Sequence, residues 1–202
     1  MTEMRKQYDF DKAAQGTHHK RYRQGVSLRV IDGSNLPENG PGKKDTQLTE
    51  LAGRFALISQ LTGDGLEVAL PIRDRGVDLI AYAELDEQDS PFAACPIQLK
   101  VTNGRRFELD RKYERVANLL LVYIWDMKDA SKSRTYALTY AEALEVMRKK
   151  GFTETLSWKR GRYSVASPGT DLLKMLEQYR MRPKGWRSRI LSAAKQKERK
   201  TA

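Results

Sequence analysis

The sequence predicts one α/β domain with a mixed sheet flanked by helices, and three observations carry that reading. Residues 46–58 repeat apolar side chains at helical spacing. Two short apolar runs follow, each interrupted by polar residues: 76–81 holds Asp78, and the run closing on Val101 holds Gln98 and Lys100. Residues 118–126 are almost continuously apolar, as a strand buried on both faces requires. With 202 residues the chain is long enough for one good core with appendages.

The elements are expected in this order. In the first helix Leu48, Leu51, Phe55 and Ile58 form the apolar stripe and Glu50 falls off it; Asp45 or Thr46 caps the start, and Gly63 with Gly65 ends it. Residues 66–71 make a first strand, 76–81 a second and the run to Val101 a third. Residues 102–106 read as a loop and 110–115 as a short helix. The strand at 118–126 comes next, then a strand at 135–139 and a helix at 141–150 stopped by Gly151. Residues 155–158 and 162–166 are expected to pair as a hairpin across the basic turn Lys159-Arg160-Gly161. A helix at 168–179 turns Leu172, Leu173 and Leu176 inward. Residues 32–45 are dense in turn formers and read as a linker between an N-terminal arm, 1–31, and the domain, 46–179; a basic tail occupies 180–202.

Strand alternation places Gln98 and Lys100 on one face and Ile97, Leu99 and Val101 on the other. A hard divalent cation takes oxygen ligands, which the Asp78 carboxylate and the Gln98 carbonyl oxygen can supply, with water and a substrate phosphate completing the shell. Beside that shell the Lys100 ammonium can help deprotonate or orient a water, or stabilise charge that builds on the phosphate.

Asp78 followed by Gln98-Leu99-Lys100 resembles the motif of the PD-(D/E)xK nuclease superfamily in its Gln variant, as in Mrr-like restriction enzymes and intron-encoded homing endonucleases. The resemblance spans roughly residues 46–126. It implies an αβββαβ core with basic terminal extensions, a magnesium-dependent site (manganese as the alternative) and DNA as substrate. The family often places an acidic residue that binds or orients the metal in the first helix, so the resemblance carries over Glu50 beside Asp78 and Gln98 as metal-binding, and Glu50, Asp78, Gln98 and Lys100 as the catalytic set. Two departures stand out: no Pro directly precedes the Asp, and neutral Gln98 gives the site one negative charge fewer than a Glu would. Residues 8–25 also resemble the opening of small bacterial antitoxin-like proteins, which implies a bacterial source and an arm that binds a protein partner.

The net charge of +11 sits at the ends. Residues 180–202 carry nine Lys or Arg against one Glu, and residues 1–29 carry seven against three acids, leaving a body near neutrality. Basic ends on a neutral body suit a binder of phosphate backbones. The expected nucleic-acid contacts are Arg105 and Arg106 after the motif strand, Lys159 and Arg160 in the basic turn, and Arg182, Lys184, Trp186, Arg187 and Arg189 in the tail. Trp186 can stack on a base or dock the tail onto the core. Adjacent His18 and His19 diverge on either a helix or a strand, which disfavours a metal pair. The single Cys95, among small residues, reads as packed, and one cysteine cannot form an internal disulfide. No stretch approaches the roughly 18 apolar residues of a membrane span, and the polar N-terminus shows no secretory signal.

The sequence therefore predicts a cytoplasmic metal-dependent DNA endonuclease that can associate with the nucleoid. The alternative is a non-catalytic nucleic-acid-binding or antitoxin-like protein that keeps the fold. Phosphodiester chemistry does not by itself see the sugar, so RNA stays open beside DNA. Duplex cutting needs two sites or two visits, so a homodimer stays open as well.

Overall fold

A computed structural model of the chain describes residues 46–73, 75–83 and 92–195. The N-terminal arm, the linker, His18, His19 and residues 196–202 lie outside the described residues.

Helix α1 (Thr46–Gly63) leads into strands β1 (Leu66–Ala69), β2 (Leu79–Ala83) and β3 (Ala94–Val101). Strand β4 (Phe107–Asp110) and a 3-10 helix (Arg111–Arg115) precede β5 (Leu120–Trp125) and β6 (Arg134–Thr139). Helix α2 (Tyr140–Lys149), the single turn α3 (Leu156–Lys159), β7 (Arg162–Val165), α4 (Thr170–Glu177) and α5 (Trp186–Lys195) complete the chain. The main sheet runs β1-β2-β3-β5-β6 and is antiparallel except for the parallel pair β3–β5, so it is mixed as expected.

Both faces of the sheet are covered, which explains why β5 is buried along its whole length. Leu120, Val122 and Ile124 pack with Ile97 and Leu99 against Leu57 and Leu61 of α1 and Trp186, Ile190 and Ala193 of α5. Leu121, Tyr123 and Trp125 pack on the other side against Val146 and Met147 of α2 and Leu172 and Leu176 of α4. Gln98 and Lys100, in register with Leu121 and Tyr123, lie on this second face.

Several sequence expectations are corrected. Of the expected α1 stripe only Ile58 packs on the core: Leu48, Leu51 and Phe55 are exposed, and Gly53, Leu57 and Leu61 are buried instead. Gly53 is the reason. A Cβ there would lie 2.5 Å from a Val101 methyl, so only the bare backbone lets α1 settle this close to β3. The 155–166 hairpin does not form. Thr155 caps α3 by accepting the Trp158 N–H, and β7 pairs antiparallel with β4, a strand absent from the expected elements. The segment 110–115 is a 3-10 turn capped by Asp110. Asp78 lies one residue before β2 rather than inside it.

The basic tail is also part of the core through residue 194. Trp186 is 2% exposed; its indole N–H donates to Gln60 Oε1 at 3.0 Å and its backbone N–H to Asp64 Oδ2 at 2.8 Å. Arg189 donates to both carboxylate oxygens of Glu142 and to the Ala137 carbonyl, and Arg187 donates to the Gly65 carbonyl. Trp186 therefore docks the tail, and its ring is not presented for base stacking. Glu142 in turn closes a capping box with Thr139 at the start of α2.

Candidate functional site

The register sets Leu79 opposite Ile97, and Asp78 N–H continues the ladder to the Ile97 carbonyl at 2.8 Å. Pairing then stops, because Gly76 turns into the left-handed region at φ 95°. A side chain at Gly76 would press on the Tyr113 ring at 3.3 Å. Where the backbone departs, the Asp78 carboxylate takes over: Oδ2 accepts the Leu99 N–H at 2.6 Å and the Gln98 side-chain amide at 2.5 Å. Asp78 and Gln98 are 4% and 7% exposed and, with Thr139, are the buried polar residues of the described chain. Burying a carboxylate is costly unless it is hydrogen-bonded or paired, and these donors offset that cost.

Lys100 follows on the same face. Its Nζ lies 3.1 Å from Glu108 Oε1 and 5.7 Å from the Tyr113 ring centre. Burial pulls the Lys100 pKa down, but Glu108 and Tyr113 outweigh it and the net displacement is upward, so the side chain is a held cation. Glu108 also pairs with Arg162 at 3.0 Å, a contact made possible by the β4–β7 ladder.

Asp78, Gln98, Lys100, Glu108 and Tyr113 line a cleft of about 740 Å³ together with Thr46, Thr49 and Glu50 of α1. Glu50 is half-exposed and lies 3.9 Å from Arg54, which also reaches Asp78 Oδ1 at 3.9 Å. The structure thus brings Asp78, Gln98 and Lys100 together on one wall, with Glu50 at the edge. Arg105 and Arg106 line the same cleft, Arg105 being paired with Asp126 at 3.0 Å. Lys159 and Arg160 are exposed at the end of α3 and do not line it. Arg182 and Lys184 line a separate cleft, while Trp186, Arg187 and Arg189 are engaged within the fold as described.

Sequence reasoning missed Glu108, Arg54 and Tyr113. Phe107-Glu108-Leu109-Asp110 alternates apolar and polar residues, the period-2 signal of a strand, and that pattern could have found Glu108. Arg54 stands four residues after Glu50, on the same side of α1. Cys95 is packed: its thiol donates to the Asn118 carbonyl at 3.2 Å, and burial pushes its pKa up to about 12.

Among the described residues no three His, Cys, Asp or Glu side chains converge as a ready-made metal cage. A small hard cation commonly takes only one or two carboxylates and completes its shell with water and phosphate. The oxygen donors of Asp78, Gln98 and Glu50 around one cleft fit that chemistry.

No helix among the described residues is long and apolar enough to cross a membrane. No family model matches the chain, and no curated protein matches it. Among solved structures it is similar to a bacterial homing endonuclease, at 15% identity over 78% of this chain and 99% of that one, with a TM-score of 0.41.

Proposed function

We propose that this chain is a metal-dependent DNA endonuclease with a site of the PD-(D/E)xK kind in its Gln variant. The observation that supports it most is the convergence of Asp78, Gln98 and Lys100 on one wall of the cleft, with Arg105 and Arg106 among its other lining residues.

In this reading Asp78, Gln98 and Glu50 would hold magnesium, with manganese as a substitute, and the bound ion would supply Lewis acidity at the phosphate. The chain's own groups do the rest. Lys100, held charged by Glu108, stabilises the negative charge that grows on the phosphate oxygens. The Glu108 pair favours this role over proton abstraction. The net reaction adds a water oxygen to phosphorus and breaks the bond to one sugar oxygen. One water proton ends on that oxygen and the other is released or kept by the new phosphomonoester. Arg105 and Arg106 position the backbone by charge.

One observation favours a second reading, that of a protein that binds nucleic acid without cutting it: Arg54 occupies the neighbourhood of both Glu50 and Asp78, where a cation would compete with the metal. Incubating supercoiled plasmid and linear, branched and single-stranded DNA with the protein in magnesium, manganese or chelator separates the two. Cutting that needs metal and disappears in Asp78→Asn supports the enzyme. Salt-sensitive binding with no cutting in any lane supports the binder.

A further inference from the structure

At the other end of α1 lies a second cleft of about 490 Å³. Its walls are Ser59, Gln60, Gly63 and Asp64 from the end of α1, Ser133 to Thr135 at the start of β6, and the segment from Arg180 to Lys184. Four cations line it, Arg134, Arg180, Arg182 and Lys184, against a single carboxylate, Asp64, which is already committed to the Trp186 backbone.

Two of the cations are anchored: Arg134 donates to the Ser131 and Ser133 carbonyls, and Arg180 pairs with Glu177 at 2.9 Å. Arg182 and Lys184 are exposed, and among the described residues no carboxylate pairs with either. Both stand on a fixed turn. Gly185 N–H donates back to the Arg182 carbonyl, Lys184 takes the left-handed conformation at φ 63°, and the turn is pinned at one side by buried Trp186 and at the other by the Met181 N–H to Thr135 carbonyl bond. A left-handed Lys is costly where Gly would be free, so a rigid scaffold is presenting an unpaired ammonium and guanidinium toward solvent.

We infer that this cleft is a second binding site for the phosphodiester backbone of duplex DNA, distinct from the site of cleavage. Guanidinium, ammonium and the Ser133 and Thr135 hydroxyls are donors suited to phosphate oxygens. Spacing favours a long stiff polyanion over a small anion. Thr49, in the first cleft, and Gly63, in the second, are 14 residues apart on one helix, about 21 Å at the helical rise. That is roughly six base pairs of duplex, a length that one DNA segment readily spans. The inference rests on the proposed DNA substrate and is tested by binding alone.

The test measures fluorescence anisotropy of a labelled 30-base-pair duplex with the full chain in chelator, across a salt series. The variants are Arg182→Gln with Lys184→Gln, and, as a control of equal charge loss, Arg148→Gln with Lys174→Gln, exposed positions on α2 and α4. The cleft variant is expected to bind about tenfold more weakly, with a salt slope shallower by about two, while the control stays within about twofold of wild type. Equal losses in both variants, no loss in the cleft variant, or no binding by wild type would overturn the proposal. So would displacement of the duplex by polyglutamate as effective as by unlabelled DNA, which would assign the cleft to an acidic protein. Cleavage is not read in this assay, so a failed nuclease and a failed second site are told apart.

Discussion

The Asp78 carboxylate accepts the Leu99 N–H at 2.6 Å, so the residue placed at the heart of the candidate site also makes a hydrogen bond that the sheet itself would otherwise supply. Its two duties are separable. Asp78→Asn keeps an acceptor for Leu99 and is expected to unfold within about 1 kcal/mol of wild type while losing cleavage. Asp78→Ala leaves the buried Leu99 N–H without that acceptor and is expected to cost about 1–3 kcal/mol as well. Urea denaturation and plasmid cleavage on the same preparations check both.

Gly53 against Val101 sets two opposing effects in competition. Replacing a mid-helix Gly by Ala gains about 1 kcal/mol in helix propensity. The added methyl would meet Val101 side-chain carbons at 2.5 and 2.6 Å, however, and overpacking of that kind typically costs about 1–3 kcal/mol. A net loss of stability is expected for Gly53→Ala, and a shift of α1 away from β3 should weaken cleavage with it. A variant more stable than wild type would show that the helix does not sit so close.

Glu142 and Arg189 tie α2 to α5. Burial raises the Glu142 pKa, but the Arg189 and Thr139 hydrogen bonds outweigh it and the net displacement is below the ordinary value of 4.5. A carboxylate with a depressed folded pKa contributes stability above its unfolded pKa and loses it as pH falls through the folded one. Wild type should therefore lose stability progressively below about pH 4.5, and Glu142→Gln should flatten that part of the curve while costing about 2 kcal/mol at neutral pH. Thermal melts at pH 7, 4.5 and 3.5 read the difference.

Trp186 makes the tail structural. Trp186→Ala removes a buried ring and leaves Gln60 without its indole donor, while the backbone N–H to Asp64 remains, with an expected cost of about 3–5 kcal/mol. Chemical denaturation measures it. A variant of unchanged stability that binds DNA poorly would return Trp186 to the role of a stacking group.

Much of this architecture was legible in the residues, for physical reasons that differ by element. The β5 run is apolar because both faces are covered, and alternation along β3 alone assigns Gln98 and Lys100 to one side. What stayed hidden depends on contacts between distant segments. Nothing in Leu48, Leu51 and Phe55 announces that their stripe faces solvent; the decision is made by Gly53 meeting Val101, 48 residues on. The β4–β7 pair joins strands of four residues separated by more than fifty, and with it come Glu108 and its hold on Lys100. Charge counting set residues 180–202 outside the domain as a basic tail because composition does not reveal that Arg189 finds Glu142.

The most direct test of the proposed chemistry is the rate of plasmid cleavage by Lys100→Gln beside wild type, at saturating protein and with DNA affinity measured in parallel. If Lys100 stabilises the transition state, the rate falls by about 10²–10³ while affinity stays within about twofold. Equal losses in rate and affinity, or cleavage undiminished, would contradict a catalytic role for the site.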